Sequence, residues 1–172
     1  MKTLAILGSS RPDGETARLL RAVLAHIPGA EVHDLARLVI GPYSYDYAYA
    51  DDDFLPLARK MPAADAIIFA SPVYWYSMSA QMKAFFDRLT DLTDPPHKHI
   101  GKSLAGRTMF LVATGGDASP PASFEPPFAD TAGYFNMRWG GMLYRKGAGV
   151  LSAQDEAAAK EFAARIRQVS PA

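Results

Sequence analysis

Three stretches of the chain are apolar almost without a break: residues 3–7 (TLAIL), 66–70 (AIIFA) and 108–113 (TMFLVA). Short apolar runs bounded by polar segments predict strands buried on both faces, as at the centre of a parallel sheet. Between them, apolar positions recur every three or four residues, the period of a helix with one buried face. Leu20, Val23, Leu24 and Ile27 predict a helix over 17–27, stopped by Pro28 and Gly29. Met82, Phe85, Phe86, Leu89 and Leu92 predict another, with Ser77 or Ser79 near its cap, and Phe124, Phe128, Ala132 and Phe135 a third over about 125–135. Ser152 with Asp155 and Glu156 opens a final helix whose Phe162, Ile166 and Val169 face the sheet, and a shorter helix is expected over 53–61. Residues 31–35 alternate in polarity and read as an edge strand beside the first; 137–144 read as a last strand, where Gly140 and Gly141 mark a bulge or an edge. Strand and helix alternate throughout, which predicts an α/β fold built on a five-stranded, doubly wound parallel sheet with right-handed crossovers.

At the carboxyl end of the first strand lies GSSRPDGET, residues 8–16. A glycine-bearing loop that opens a helix offers backbone N–H groups at the positive end of the helix dipole, a setting for a phosphate dianion. Ser9, Ser10 and Thr16 add hydroxyl donors, Arg11 adds a charged fork, and Gly8 and Gly14 leave room for the anion. The spacing is neither the G-x-G-x-x-G dinucleotide fingerprint nor the lysine-bearing P-loop. A hydroxyl-rich loop of this kind suits the single phosphate of FMN; the competing reading is an ordinary turn capped by Asp13 or Ser10. After 66–70 the chain continues through Pro72, Val73, Tyr74, Trp75, Tyr76 and Ser77, which puts three aromatic residues at the carboxyl end of a strand. Doubly wound sheets bind ligands there, and a flat aromatic guest fits. After 108–113 come Thr114, Gly115, Gly116 and Asp117, which either supply N–H donors facing the first loop or form a plain turn.

Residues 37–53 form a long loop with Tyr43, Tyr45, Tyr47 and Tyr49 ahead of Asp51, Asp52 and Asp53. The tyrosines suit either packing on their own subunit or a dimer interface or pocket wall. The aspartates suit the start of the next helix, which they would cap and charge, better than a metal ion. His97 and His99, in the polar connector 94–102, lack a further ligand-type neighbour and read as exposed histidines, so no metal is expected. Residues 120–127 read as a proline-rich, lid-like connection.

Composition narrows the chemistry. With 172 residues, 49% of them hydrophobic and 21% charged, the chain suits a single domain over 1–172. Eighteen Lys and Arg balance eighteen Asp and Glu with no basic stripe, so neither a nucleic acid nor a membrane is expected as a partner. No cysteine is present, which excludes disulfides, thiol redox catalysis and cysteine-ligated clusters, so any redox chemistry must come from a bound cofactor. The apolar run near the N-terminus is too short for a signal core or a membrane span, and a cytoplasmic location is expected.

With GSSRPDGET, SPVYWYSMSAQMKAFFDR and TGGD after its first, third and fourth strands, the chain resembles the flavodoxin-like NAD(P)H-dependent FMN reductases and their quinone- and azo-reducing relatives over nearly its whole length. The most specific piece is the segment that ends in Phe85, Phe86, Asp87 and Arg88. The resemblance implies a flavodoxin-like sheet with strand order 2-1-3-4-5, FMN as cofactor, NADPH or NADH as electron donor and a homodimer or homotetramer. It implies as acceptor a small molecule such as a quinone, an azo compound or free flavin. Carried over by residue, Ser9, Ser10, Arg11 and Thr16 hold the phosphate, Pro72, Val73, Tyr74, Trp75 and Tyr76 flank the isoalloxazine with Ser77 beside them, and Thr114, Gly115 and Gly116 bond its polar edge. No side chain is expected to act as a catalytic acid or base, because the hydride chemistry is the flavin's own. Backbone N–H groups near 72–77 and 115–116 are expected to stabilise negative charge on the reduced ring. The chain departs from the family pattern at Glu15, an anion beside the expected phosphate, whose carboxylate is expected to point outward. The alternative is an FMN-binding electron carrier without nicotinamide-dependent activity, against which the zero net charge argues. A phospho-receiver would need acidic residues where this chain has Gly8, Ser9 and Ser71.

Overall fold

The computed structural model describes residues 1–147 and 149–170. Its five strands are β1 (Thr3–Leu7), β2 (Glu31–Asp34), β3 (Ala66–Pro72), β4 (Thr108–Gly115) and β5 (Arg138–Lys146). They form one parallel sheet in the order β2-β1-β3-β4-β5, the flavodoxin-like arrangement expected from the sequence. The three apolar runs are the three central strands, and every residue of β1 and β3 is buried. The helices are α1 (Glu15–Leu24), α2 (Phe54–Ala58), α3 (Ala80–Arg88), α4 (Lys98–Lys102), α5 (Pro126–Tyr134) and α6 (Ala153–Arg167).

Each face of the sheet has its own core. Leu20, Val23 and Ile27 from the α1 region meet Ile68, Val112 and the α6 residues Phe162 and Ile166 on one face. On the other, Phe54, Met82, Phe85 and Phe128 from α2, α3 and α5 pack on Phe69 and Leu111. Burying these stripes is what fixes the helices on the sheet, at roughly 1.5–3 kcal/mol for each large side chain fully removed from water. Strand β5 is both an edge and bulged. Met109 pairs with Trp139 while Phe110 pairs with Gly141, so Gly140 is the extra residue. A Cβ at Gly140 would overlap the Phe110 ring, and Gly141 has φ 97°.

Several elements depart from the sequence expectation. β3 runs on to Pro72, which pairs with Thr114 at the strand end, a place a proline tolerates. The connector 94–102 contains α4, whose Ile100 is buried and whose Gly101 passes so close to the Leu92 carbonyl that a Cβ would overlap it. Among the described residues, no helix is long and apolar enough to cross a membrane.

The long loop before α2 is clamped from within. Arg88, only 2% exposed, places Nε 2.7 Å from Asp91 Oδ2, pairs through Nη1 with Asp52, donates to the Gly41 and Tyr49 carbonyls and lies 4.7 Å from the centre of the Phe54 ring. Burial opposes its charge, but the carboxylates of Asp91 and Asp52 outweigh that and hold the guanidinium above its ordinary pKa. Asp52 also accepts the N–H groups of Gly41 (2.8 Å) and Phe54 (2.9 Å), and Asp53 accepts that of Val39 (2.7 Å). Of the three aspartates, then, Asp52 serves the first turn of α2, while Asp53 occupies the N-cap position without capping it and turns back to the loop. The Tyr49 ring lies over Gly41, where a Cβ would overlap it, yet Tyr49 stays exposed, as do Tyr45 and Tyr47.

Candidate active site

The carboxyl ends of β1, β3, β4 and β5 open into a cleft of about 520 Å³. Residues 8–16 make its first wall. Gly8 N–H donates to the Ala70 carbonyl (2.8 Å), and the Gly8 carbonyl accepts from Ser79 Oγ (2.6 Å), which also caps α3 by accepting Met82 N–H (3.2 Å). One serine thus fixes the loop after β1 against the helix after β3. The approach is close enough that a Cβ at Gly8 would stand 2.8 Å from Met82 Cβ.

Helix α1 starts at Glu15 behind an extended Gly14, and no side chain caps it. The competing reading of a turn capped by Asp13 or Ser10 therefore falls: the Asp13 carbonyl accepts from Arg18 Nε (2.9 Å), and Ser10 Oγ accepts from Gln81 Nε2 (2.9 Å). An uncapped N-terminus leaves the first amides of the helix without intrahelical acceptors and carries a positive partial charge. Arg11 and Arg18 line the same wall. Among the described residues, the Arg11 side chain makes no hydrogen bond or ion pair, whereas Arg18 also reaches the Gly149 carbonyl at 3.3 Å.

Pro72, Val73 and Tyr74 form a second wall and Thr114, Gly115 and Gly116 a third. The walls are stitched together: Val73 N–H donates to the Thr114 carbonyl (2.7 Å), and the buried hydroxyls of Thr16 and Thr114 lie 2.6 Å apart. Gly115 sits between Val73 and the Tyr144 hydroxyl, which a Cβ would approach to 2.7 Å. That hydroxyl donates to the Asp117 carbonyl (2.8 Å), and burial pushes its pKa up, so it remains a neutral donor.

Ser10, Trp75, Tyr76 and Ser77 stand outside the lining. Tyr74 and Ser77 exchange backbone hydrogen bonds in both directions (2.9 and 3.1 Å), leaving Trp75 and Tyr76 as a two-residue turn on the rim. Trp75 is 91% and Tyr76 64% exposed. Sequence reasoning missed a fourth wall, Gly147 and Gly149 just past β5. The strand-then-glycine pattern that marked Gly115 and Gly116 recurs there and could have revealed it. Gly147 N–H donates to the Gly115 carbonyl (2.7 Å), and Gly149 N–H to Glu15 Oε1 (2.7 Å). The Glu15 carboxylate therefore does not point outward to solvent; it turns sideways along the cleft onto this fourth wall, because a backbone donor waits there.

Chemically, an uncapped helix end with hydroxyls and the Arg11 guanidinium at one side, and an apolar wall with glycine amides at the other, suit a ligand with an anionic end and a flat body. Residues 1–126 match the family described as NADPH-dependent FMN reductase. The chain is 27% identical over 125 residues to YwqN of Bacillus subtilis (strain 168), named as an NAD(P)H-dependent FMN-containing oxidoreductase, with 68% of each chain covered. It is 34% identical over 126 residues to the iron–sulfur flavoprotein MJ1083 of Methanocaldococcus jannaschii, a match that spans 67% of this chain and 62% of that one. The fold is shared with general stress protein 14 of Treponema denticola, solved in complex with FMN, at a TM-score of 0.69 and 20% identity over 99% of this chain and 100% of that one. The stretch matching the family takes in the first three walls of the cleft, and the chain belongs to the NADPH-dependent FMN reductase family, oxidoreductases that work with FMN and NAD(P)H.

Proposed function

We propose that the protein takes hydride from NADPH or NADH and reduces a flat small-molecule acceptor, a quinone, an azo compound or free flavin, with FMN seated in the cleft. The observation that carries this reading is the uncapped N-terminus of α1, opening onto a cleft whose far wall is apolar and aromatic. FMN, when bound, supplies the two-electron chemistry. The chain's own residues bind and orient. The amides at the start of α1, the hydroxyls of Ser9 and Thr16 and the Arg11 fork take the phosphate, and Ser10, bonded to Gln81 outside the lining, braces the loop. Pro72, Val73 and Tyr74 pack against the flat body and keep water from it, with Trp75, Tyr76 and Ser77 as the rim that an acceptor meets. Thr114, through its hydroxyl against that of Thr16, ties the third wall to the first, and the amides of Gly115 and Gly116 meet the polar edge and stabilise negative charge there. The chain contains no cysteine, so of the two groups named in its iron–sulfur flavoprotein relative only the flavin can be held by these residues.

The test is the visible absorption spectrum of the purified protein, reconstituted with FMN, before and after anaerobic NADPH and then NADH, followed by an acceptor panel. Bleaching of the flavin band and its return with a quinone are the expected result. Bound flavin that neither donor bleaches would make the protein an electron carrier, and failure to retain FMN would sink the reading of the cleft.

A further inference from the structure

We infer that Glu15 is a positioning residue: its carboxylate latches the segment after β5 onto α1 and so holds the fourth wall of the cleft in place before any ligand arrives. Two sides of this segment are held differently. Its carbonyls are taken by arginines, with Arg18 on Gly149 (3.3 Å) and Arg145 on Gly149 (3.4 Å) and Val150 (2.8 Å). Arg145 is itself buried and fixed to Asp155 at 2.9 Å. The inward N–H of Gly149 goes to Glu15 at 2.7 Å, across 134 residues of sequence. A second feature is built around the same carboxylate: a Cβ at Gly147 would overlap Glu15 Oε2, so glycine at that position makes room for it. Gly147 N–H then carries the tie onward to Gly115 in the third wall (2.7 Å).

This arrangement explains how a carboxylate can stand in a cleft suited to an anion. Its carboxylate is taken up by a backbone donor in a cleft that Arg11 and Arg18 also line, while the gain is a wall whose ordering cost is met during folding rather than on binding. The affinity part of the inference rests on the FMN reading; the latch itself does not.

Backbone amide exchange of Gly149 in the ligand-free protein reads the latch directly. Glu15→Ala should speed it about tenfold or more. Glu15→Gln keeps an acceptor oxygen without the charge and should restore slow exchange. Gly147→Ala should speed exchange with Glu15 still present, because the new methyl group displaces the carboxylate. Calorimetric titration with FMN should show about tenfold weaker binding for Glu15→Ala and Gly147→Ala, and binding within about threefold of the natural protein for Glu15→Gln. Unchanged exchange in the two alanine variants overturns the latch. Tighter FMN binding in both Glu15 variants overturns the positioning role and leaves only charge repulsion. If the natural protein binds no FMN, the cofactor reading fails, and the exchange arm still decides the latch.

Discussion

Trp75 and Tyr76 occupy the two central positions of a tight turn with φ of 48° and 68°. Asn and Gly enter that region at little cost; bulky side chains do not. A left-handed conformation costs an L side chain about 1–2 kcal/mol, so the pair holds about 2–4 kcal/mol of strain. Burial returns little of it, with Trp75 91% and Tyr76 64% exposed. The double substitution Trp75→Asn, Tyr76→Gly should release this strain, less about 0.5–1 kcal/mol for the greater freedom of glycine in the unfolded chain and a small loss of contact at Tyr76. The net gain is about 1–3 kcal/mol, which in a domain of this size raises Tm by about 3–8 °C. The assay is thermal unfolding of the ligand-free protein followed by circular dichroism, paired with turnover of a quinone. Strain retained at the rim of a cleft is expected to serve the ligand, so the same variant should show a higher KM for the acceptor. An unchanged or lowered Tm would refute the strain; a raised Tm with undiminished acceptor turnover would refute its purpose.

Arg88→Met should leave Asp52 and Asp91 buried without their partner and destabilise the protein by about 3–5 kcal/mol, seen as a shifted urea midpoint and as new proteolytic cuts in 39–53. Ser152→Ala should cost about 1 kcal/mol by removing the capping box of α6. The hydrogen bonds from the Ser152 N–H and hydroxyl, aided by Arg145, hold the Asp155 carboxyl below its ordinary 3.8. A depressed carboxylate stabilises above its unfolded value and loses that contribution as pH falls through the folded one, so the deficit of the variant, measured in urea, should shrink below about pH 3.8. Gly8→Ala would press a methyl group on Met82 Cβ and Cα, and should weaken FMN binding while costing about 1–3 kcal/mol of stability, read by titration and melting together.

What the sequence revealed was whatever is written locally. The apolar runs became β1, β3 and β4, and the stripes of Leu20, Met82, Phe128 and Phe162 became the buried faces of their helices, because period and burial are properties of neighbouring residues. The loops at 8–16, 72–77 and 114–117 were legible for the same reason, each being a polar or aromatic interruption at the end of an apolar strand. What stayed hidden depends on partners far away in sequence. KHIGK carries no periodic signal, and α4 exists because Ile100 is buried and Gly101 fits against Leu92 and Phe135. The direction of the Glu15 carboxylate is set by an amide at Gly149, and the task of Asp52 by a guanidinium at Arg88. The exposure of Trp75 and Tyr76 came from the turn, since aromatic composition alone suggested contact with the ligand.

The fourth wall also sets a timetable. Gly147 and Gly149 follow β5, and β5 takes its place beside β4 only after the crossover through α5 is complete. On the ribosome, roughly 30 residues separate the third wall from the fourth, a delay of about 2–6 s at about 5–20 residues per second. Throughout that interval the nascent chain carries the helix end and the aromatic rim but no strap for Glu15 to catch. With FMN seated in this cleft as proposed, flavin capture is expected late in synthesis, and in refolding experiments the quenching of flavin fluorescence should trail formation of the central sheet.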